Sequence, residues 1–280
     1  MACANLSRWL AAVLLALLAA GPASAAEPVP KVAVVSFGLF GDQSVFESEA
    51  NGAAKIVAER FAGAPVIVRA NTKSRSDATP ESLTAALDSA AKELDGGNDI
   101  LMLILTSHGS RGGLVVKAGA RESILSPALL AAMLNQTGVQ HRIVIISACY
   151  SGVFIPQLAN ANTLVITAAD SDHPSFGCQD GAQWTYFGEA LFNNAMRRAA
   201  TLREAFALAR TLVSKRERRN GFAPSNPQIA GGKNIDPLLK GSPVHAEIDE
   251  EEPISAVDSA PWPVQGPVAW PRNALVPWPE

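Results

Sequence analysis

The chain has 280 residues, is 48% apolar, and carries 23 basic against 26 acidic side chains for a net charge of −3. The basic residues gather in no dense patch, which argues against a nucleic-acid binder. The length suits one large domain, for which about 250 residues is the upper range, once a leader is removed.

The leader is legible. Arg8 gives a modest positive start, Trp9 to Ala20 is unbroken apolar sequence, Gly21-Pro22 breaks it, and Ala23-Ser24-Ala25 is a small-x-small cleavage site. Residues 1–25 therefore read as an export signal, with a mature, periplasmic or secreted chain starting near Ala26. The run is shorter than the about 20 apolar residues that span a bilayer, and no later segment is longer. No stable membrane insertion is expected after cleavage.

Strand-like and helix-like segments then alternate. Lys31 to Phe37 is a β-branched run, and Val45 to Phe61 has helical apolar spacing. Val66 to Arg69 is a second short strand. Thr79-Pro80-Glu81 starts a helix, with Thr79 as cap, which runs to about Leu94 and stops at Gly96-Gly97. Ile100 to Leu105 suits a strand buried on both faces. Leu114 to Lys117 is a candidate excursion strand, and Gly112-Gly113 before it are expected to keep the loop open. Ser126-Pro127 opens a helix that ends near Gly138. Arg142 to Ile146 and Leu164 to Thr167 are two further buried strands. Helices are expected over Thr185 to Arg198 and Leu202 to Arg219. This alternation predicts an α/β fold with a mostly parallel sheet covered by helices on both faces. The domain spans 26–241.

Residues 242–280 differ. Asp249 to Glu252 form an acidic cluster, and Trp262-Pro263, Trp270-Pro271 and Trp278-Pro279 recur every eight residues. Such a segment reads as an extended polyproline-type tail, with docking of its tryptophans on the domain or on a partner as the alternative.

Two central strands end in reactive residues. The first runs into Thr106-Ser107-His108-Gly109-Ser110, the second into Ser147-Ala148-Cys149-Tyr150-Ser151-Gly152. In open parallel sheets functional groups collect at the carboxyl edge. One helix between the two strands makes them parallel neighbours by a right-handed crossover, so His108 and Cys149 fall side by side. A thiolate needs a nearby imidazole to generate it and to protonate the leaving amine. The backbone N–H groups of Gly109 and Cys149 are candidate donors to an oxyanion. Cysteine count alone supports another reading. Cys149 and Cys178 are the two thiols left after the leader, and an exported chain commonly pairs them as one disulfide. His141 belongs to the opposite edge, and His173 to the active edge as a candidate substrate contact. No histidine pair has metal-ligand spacing, so neither a metal nor a cofactor is expected.

The motifs together resemble the legumain, or asparaginyl endopeptidase, family of the caspase-like clan of cysteine peptidases. Ser-His-Gly at 107–109 is similar to its histidine motif and Ala-Cys-x-Ser-Gly at 148–152 to its nucleophile motif. The likeness continues through Thr167-Ala168-Ala169, Ser175-Phe176-Gly177-Cys178 and Thr185-Tyr186-Phe187-Gly188, and Ser225-Asn226-Pro227-Gln228 resembles the small bacterial members. The resemblance implies a caspase-like three-layer sandwich and hydrolysis of peptide bonds in protein or peptide substrates. Cys149 is then the nucleophile that forms a thioester, His108 the general acid/base, and Asn or Asp the residue before the cut. It also implies Ser175 and Glu189 as pocket residues. Asp42 and Gln43, in the loop after the first strand, join them as candidates. Ser147, a further substrate-binding candidate, stands where the eukaryotic pattern has a glutamate, and the family's pocket arginine has no counterpart near Gly41-Asp42-Gln43. Two alternatives stay open: a transamidase or ligase of the same family, and a catalytically silent binding module with a Cys149–Cys178 disulfide.

Overall fold

A computed structural model describes residues 29–61 and 64–239. The segment at 1–25 expected to be a signal and the acidic and Trp-Pro tail lie outside the described residues.

The core strands form where apolar runs leave no polar face to solvate. β1 (Val32–Gly38), β3 (Ile100–Thr106) and β7 (His141–Ser147) are buried along nearly their whole length, as is β8 (Thr163–Thr167). With β2 (Val66–Ala70) and β9 (Gln228–Gly231) they make a six-stranded sheet in the order β2-β1-β3-β7-β8-β9. Every pairing is parallel except β8 with β9, which is antiparallel.

Alternate residues of each strand face opposite layers. One face presents Val34, Met102, Ile104, Ile145 and Ile166 to α1 (Ser44–Arg60) and to α6 (Leu202–Arg219). The other presents Val35, Leu103, Leu105 and Ile146 to α2 (Pro80–Lys92) and α3 (Pro127–Gln136). The result is the three-layer α/β sandwich expected from the alternation.

Local chemistry sets the helix starts. Thr79 accepts from the Ser82 N–H while Ser82 accepts from the Thr79 N–H, and Pro80 opens α2. Ser126 caps α3 ahead of Pro127, and Thr201 with Glu204 forms a capping box for α6. Helix α1 has no cap of its own. Its first N–H, from Ser44, is taken at 2.9 Å by Asp180 of a distant loop. A carboxylate suits that place because helix N-termini carry unsatisfied donors and partial positive charge.

Three elements depart from expectation. The excursion after β3 is a three-stranded antiparallel sheet of β4 (Gly109–Ser110), β5 (Gly113–Ala118) and β6 (Arg121–Leu125). Gly112 and Gly113 therefore turn a hairpin and do not hold a loop open. Second, the helix expected over 185–198 is broken. After α4 (Ile155–Leu158), α5 covers only Tyr186–Gly188, then Glu189–Asn194 is a π-helix and Ala195–Arg197 a 3₁₀ turn. Asn194 donates to the Glu189 carbonyl at 2.8 Å, so a side-chain amide takes an acceptor that a regular helix would fill with backbone. Third, β9 extends the sheet, and α7 (Ile235–Leu238) follows it.

Candidate active site

Register places the two reactive loops. Thr106, the last residue of β3, pairs with Ser147, the last of β7. His108 and Cys149 each lie two residues beyond that pair, at the carboxyl edge. The strand pairing runs on past the sheet, where Ser107 N–H donates to the Ser147 carbonyl at 3.2 Å. Beyond it, Gly109 packs directly on the Cys149 backbone. A Cβ at 109 would fall far inside contact distance of the Cys149 carbonyl oxygen and close to the Ala148 side chain. Only glycine allows this approach.

The His108 ring is held on two sides. Phe40 and Phe46 meet it edge-on, with ring centroids 4.5 and 5.1 Å away. Gln43 Oε1 lies 2.6 Å from Nε2. An amide oxygen only accepts, so the neutral ring keeps its proton on Nε2 and leaves the Nδ1 lone pair for proton transfer. Burial lowers the His108 pKa from its ordinary value, with the Glu122 charge acting weakly the other way.

The Cys149 sulfur is held by Ser175. The thiol donates to the Ser175 carbonyl at 3.3 Å and accepts from the Ser175 N–H at 3.3 Å. Burial pushes the Cys149 pKa up, and the N–H groups of Ser175 and Cys149 only partly offset it. Both members of the dyad are thus shifted toward their neutral forms. The residue after the nucleophile, Tyr150, has φ +55°, a left-handed conformation that costs a non-glycine residue about 1–2 kcal/mol. Its N–H donates to the His173 carbonyl at 2.9 Å, and the Arg111 guanidinium lies over its ring.

His173 Nδ1 in turn lies 2.7 Å from Asp170 Oδ1, and Asn226 donates to Asp170 Oδ2 at 3.0 Å. So the nucleophile loop has one oriented imidazole on the β3 side and another on the β8 side. Cys178 is a free thiol, as is Cys149. The disulfide of the silent-module alternative is not formed. Burial, with Cys149 and Glu49 nearby, pushes the Cys178 thiol far up.

The other expected pocket residues separate. Gln43 belongs to the imidazole. Asp42 is exposed and lies within charge range of Lys73. Ser147 is buried at 1% exposure, 3.0 Å from the Thr185 hydroxyl. Glu189 accepts from Asn193 and Asn194 within its own π-helical segment. Its carboxylate serves that segment and does not reach the dyad loops through any of these bonds.

Sequence reasoning missed Glu49. This fully buried carboxyl accepts from the Thr106 hydroxyl and the Thr185 N–H. The available signal was an acidic residue on the apolar stripe of α1, between Val45-Phe46 and Ala53-Ala54.

Comparison with known proteins gives the family. The Peptidase C13 family model matches residues 81–233, more than half of the 280-residue chain. Among solved structures, the chain is similar to the crystal structure of Caspase-1 from Spodoptera frugiperda, at 16% identity and a TM-score of 0.48, over 72% of this chain and 86% of that one. The comparison with curated proteins returns no match. The matched segment contains both His108 and Cys149, together with the strands that bring them to one edge. The chain belongs to the peptidase C13 family, the legumain-type cysteine peptidases that its motifs resemble.

Proposed function

We propose that this cysteine peptidase is exported and cleaves protein or peptide substrates through a Cys149/His108 dyad. The observation that carries the reading is the Thr106–Ser147 register, with His108 and Cys149 two residues beyond it and Gly109 against the Cys149 backbone. As the scissile carbonyl meets Sγ, His108 Nδ1 takes the thiol proton. The carbonyl oxygen becomes an oxyanion held by the Gly109 and Cys149 N–H groups. Collapse expels the amine, which receives its proton from His108, and leaves a thioester on Cys149. Water, deprotonated by His108, then attacks the thioester and restores the thiol.

The test is cleavage of a peptide library by the mature chain under reducing conditions. Cys149→Ala and His108→Ala should abolish cleavage, and the wild-type products should be enriched in Asn or Asp before the cut. Cleavage retained by Cys149→Ala overturns the dyad, and enrichment of another residue overturns the preference alone. Export is read separately, from the N-terminus of the secreted chain. It is expected near Ala26, and a chain that keeps residues 1–25 overturns export.

A further inference from the structure

A carboxyl lies beneath the dyad that the reaction above does not use. Glu49 is at 0% exposure in α1, facing the sheet. Its Oε1 accepts from the Thr106 hydroxyl at 2.9 Å and its Oε2 from the Thr185 N–H at 2.8 Å. Ser147 lies near enough to favour the charged form of that carboxyl, and its hydroxyl lies 3.0 Å from that of Thr185. Gly188 completes the setting. Its N–H donates to Thr185 Oγ1 at 2.9 Å, and a side chain at 188 would occupy the space that the carboxyl fills.

Four elements therefore meet on one group: α1, the end of β3, the end of β7 and the start of α5. Thr106 and Ser147 are the register partners that stand two residues before His108 and Cys149. The position of one carboxyl thus bears on the relative position of both dyad loops. The nucleophile motif has Ser147 where a glutamate stands in the related pattern, and here a carboxyl reaches Ser147 from α1 instead.

We propose that Glu49 is a positioning residue, whose carboxyl fixes the paired strand ends that carry His108 and Cys149. The proposal rests on the dyad reading above. A charge is not needed for this role. Burial raises the Glu49 pKa, against the bonds from Ser147, Thr185 and Thr106. Cys178 lies within charge range of both Glu49 and Cys149. An ionised Glu49 would oppose thiolate formation at Cys178, whereas a neutral acid, or an amide, escapes that penalty: its one accepting oxygen takes the Thr185 N–H and its donor faces the Thr106 hydroxyl, which can accept as well as donate.

The test compares Glu49→Gln, Glu49→Ala and Thr106→Val with wild type in the full mature chain. It reads kcat and KM on a cleaved peptide, and the pH profile of Cys149 alkylation by iodoacetamide, located by mass spectrometry. Misplacing reacting groups by 1 Å costs about 100-fold. On that scale Glu49→Ala and Thr106→Val should lower kcat by about 10- to 100-fold with KM within about 3-fold, and should displace the alkylation profile toward that of His108→Ala. Glu49→Gln should recover to within about 3-fold of wild type, because the amide oxygen accepts from the Thr185 N–H while the amide nitrogen donates to the Thr106 hydroxyl, which reverses its role. Wild-type kcat and alkylation profile in Thr106→Val overturn the proposal, even if Glu49→Ala fails to fold. Glu49→Gln falling as far as Glu49→Ala overturns it as well, because a charge would then be required. A wild-type chain that cleaves nothing, while Thr106→Val still displaces the alkylation profile, fails the peptidase reading and leaves this one standing.

Discussion

Gly109→Ala tests the join between the two dyad loops most directly. The added Cβ would fall under 3.0 Å from the Cys149 carbonyl oxygen and carbon-to-carbon contact with Ala148 would tighten to 3.1 Å. Non-bonded heavy atoms settle at about 3.5–4.0 Å, so one loop must move by roughly 1 Å against the other. The obstacle is backbone and cannot rotate away. Overpacking of this kind costs about 1–3 kcal/mol of stability, which the large core tolerates. Catalysis is less tolerant, since 1 Å of misplacement costs about 100-fold and the moving atoms belong to the nucleophile and an oxyanion donor. The assay is kcat and KM on a cleaved peptide, with thermal melting measured in parallel. The control is Gly112→Ala in the same hairpin, whose Cβ would meet only the Ser110 hydroxyl at an ordinary 3.6 Å. Gly109→Ala should lose about 100-fold in kcat while staying folded, and Gly112→Ala should lose little. If Gly109→Ala keeps kcat within about 3-fold of wild type, the close approach of the loops is not what assembles the site.

Four further outcomes follow from the electrostatics and the loop anchors. Activity needs His108 unprotonated and Cys149 still holding its proton, so kcat/KM should plateau from below pH 6.5 to above pH 9.0, the ordinary values from which burial lowers the imidazole and raises the thiol. Gln43→Glu sets a carboxylate beside Nε2, favours the imidazolium and should move the acid limb to higher pH; an unmoved limb refutes the 2.6 Å contact. For Glu49 the folded pKa is raised, so above pH 4.5 the unfolded chain releases a proton that the folded chain keeps, and stability falls as pH rises until the folded value is passed. Glu49→Gln removes that slope, which is at most about 1.4 kcal/mol per pH unit, and its melting temperature should gain on wild type as pH rises from 4.5; parallel curves refute the shift. Asp180 clasps the Ser44 N–H, the Ser44 hydroxyl and Lys73. Asp180→Ala should speed protease nicking between 177 and 183 and raise KM, and unchanged nicking refutes the clasp.

The sequence makes some parts legible for definite reasons. The apolar runs ending at Thr106 and Ser147 announce buried strands, and one intervening helix makes them neighbours, so the placing of His108 and Cys149 at one sheet edge can be read before any coordinates. Ser147 shows what motif position omits. Counting by two along β7 puts Ser147 on the same face as Ile143 and Ile145, under α1. Glu189 fails for a related reason, because regular helical spacing over 185–198 does not reveal the π-helical turn that commits its carboxylate to Asn193 and Asn194. Strand β9 is four residues with mixed exposure, too short for alternation to register, and its pairing with β8 is set by tertiary contact. Gln43 was legible as a site residue but not in its role, since the ring it holds lies 65 positions away.

The direction of the Cys149 shift bears on where such an enzyme can work. Cysteines with low pKa sit at helix N-termini or beside a free cation. Cys149 has neither arrangement. A short 3₁₀ turn follows it at Ser151–Phe154, and Arg111, which reaches over Tyr150, is paired with Asp172. Raised by burial above the ordinary thiol value, Cys149 rests as a thiol at pH 7. Oxidation and disulfide exchange both proceed through the thiolate. Cys178 is shifted further the same way, so the two free thiols near each other are slow to pair. An exported peptidase meets an oxidising compartment, where a permanently ionised nucleophile would be lost to side reactions. A dyad that stays neutral until a carbonyl arrives avoids that loss, and its cost is a proton transfer to His108 Nδ1 in every turnover. That makes the placing of the imidazole, by Gln43, Phe40, Phe46 and the strand ends tied to Glu49, the feature on which the rate depends most.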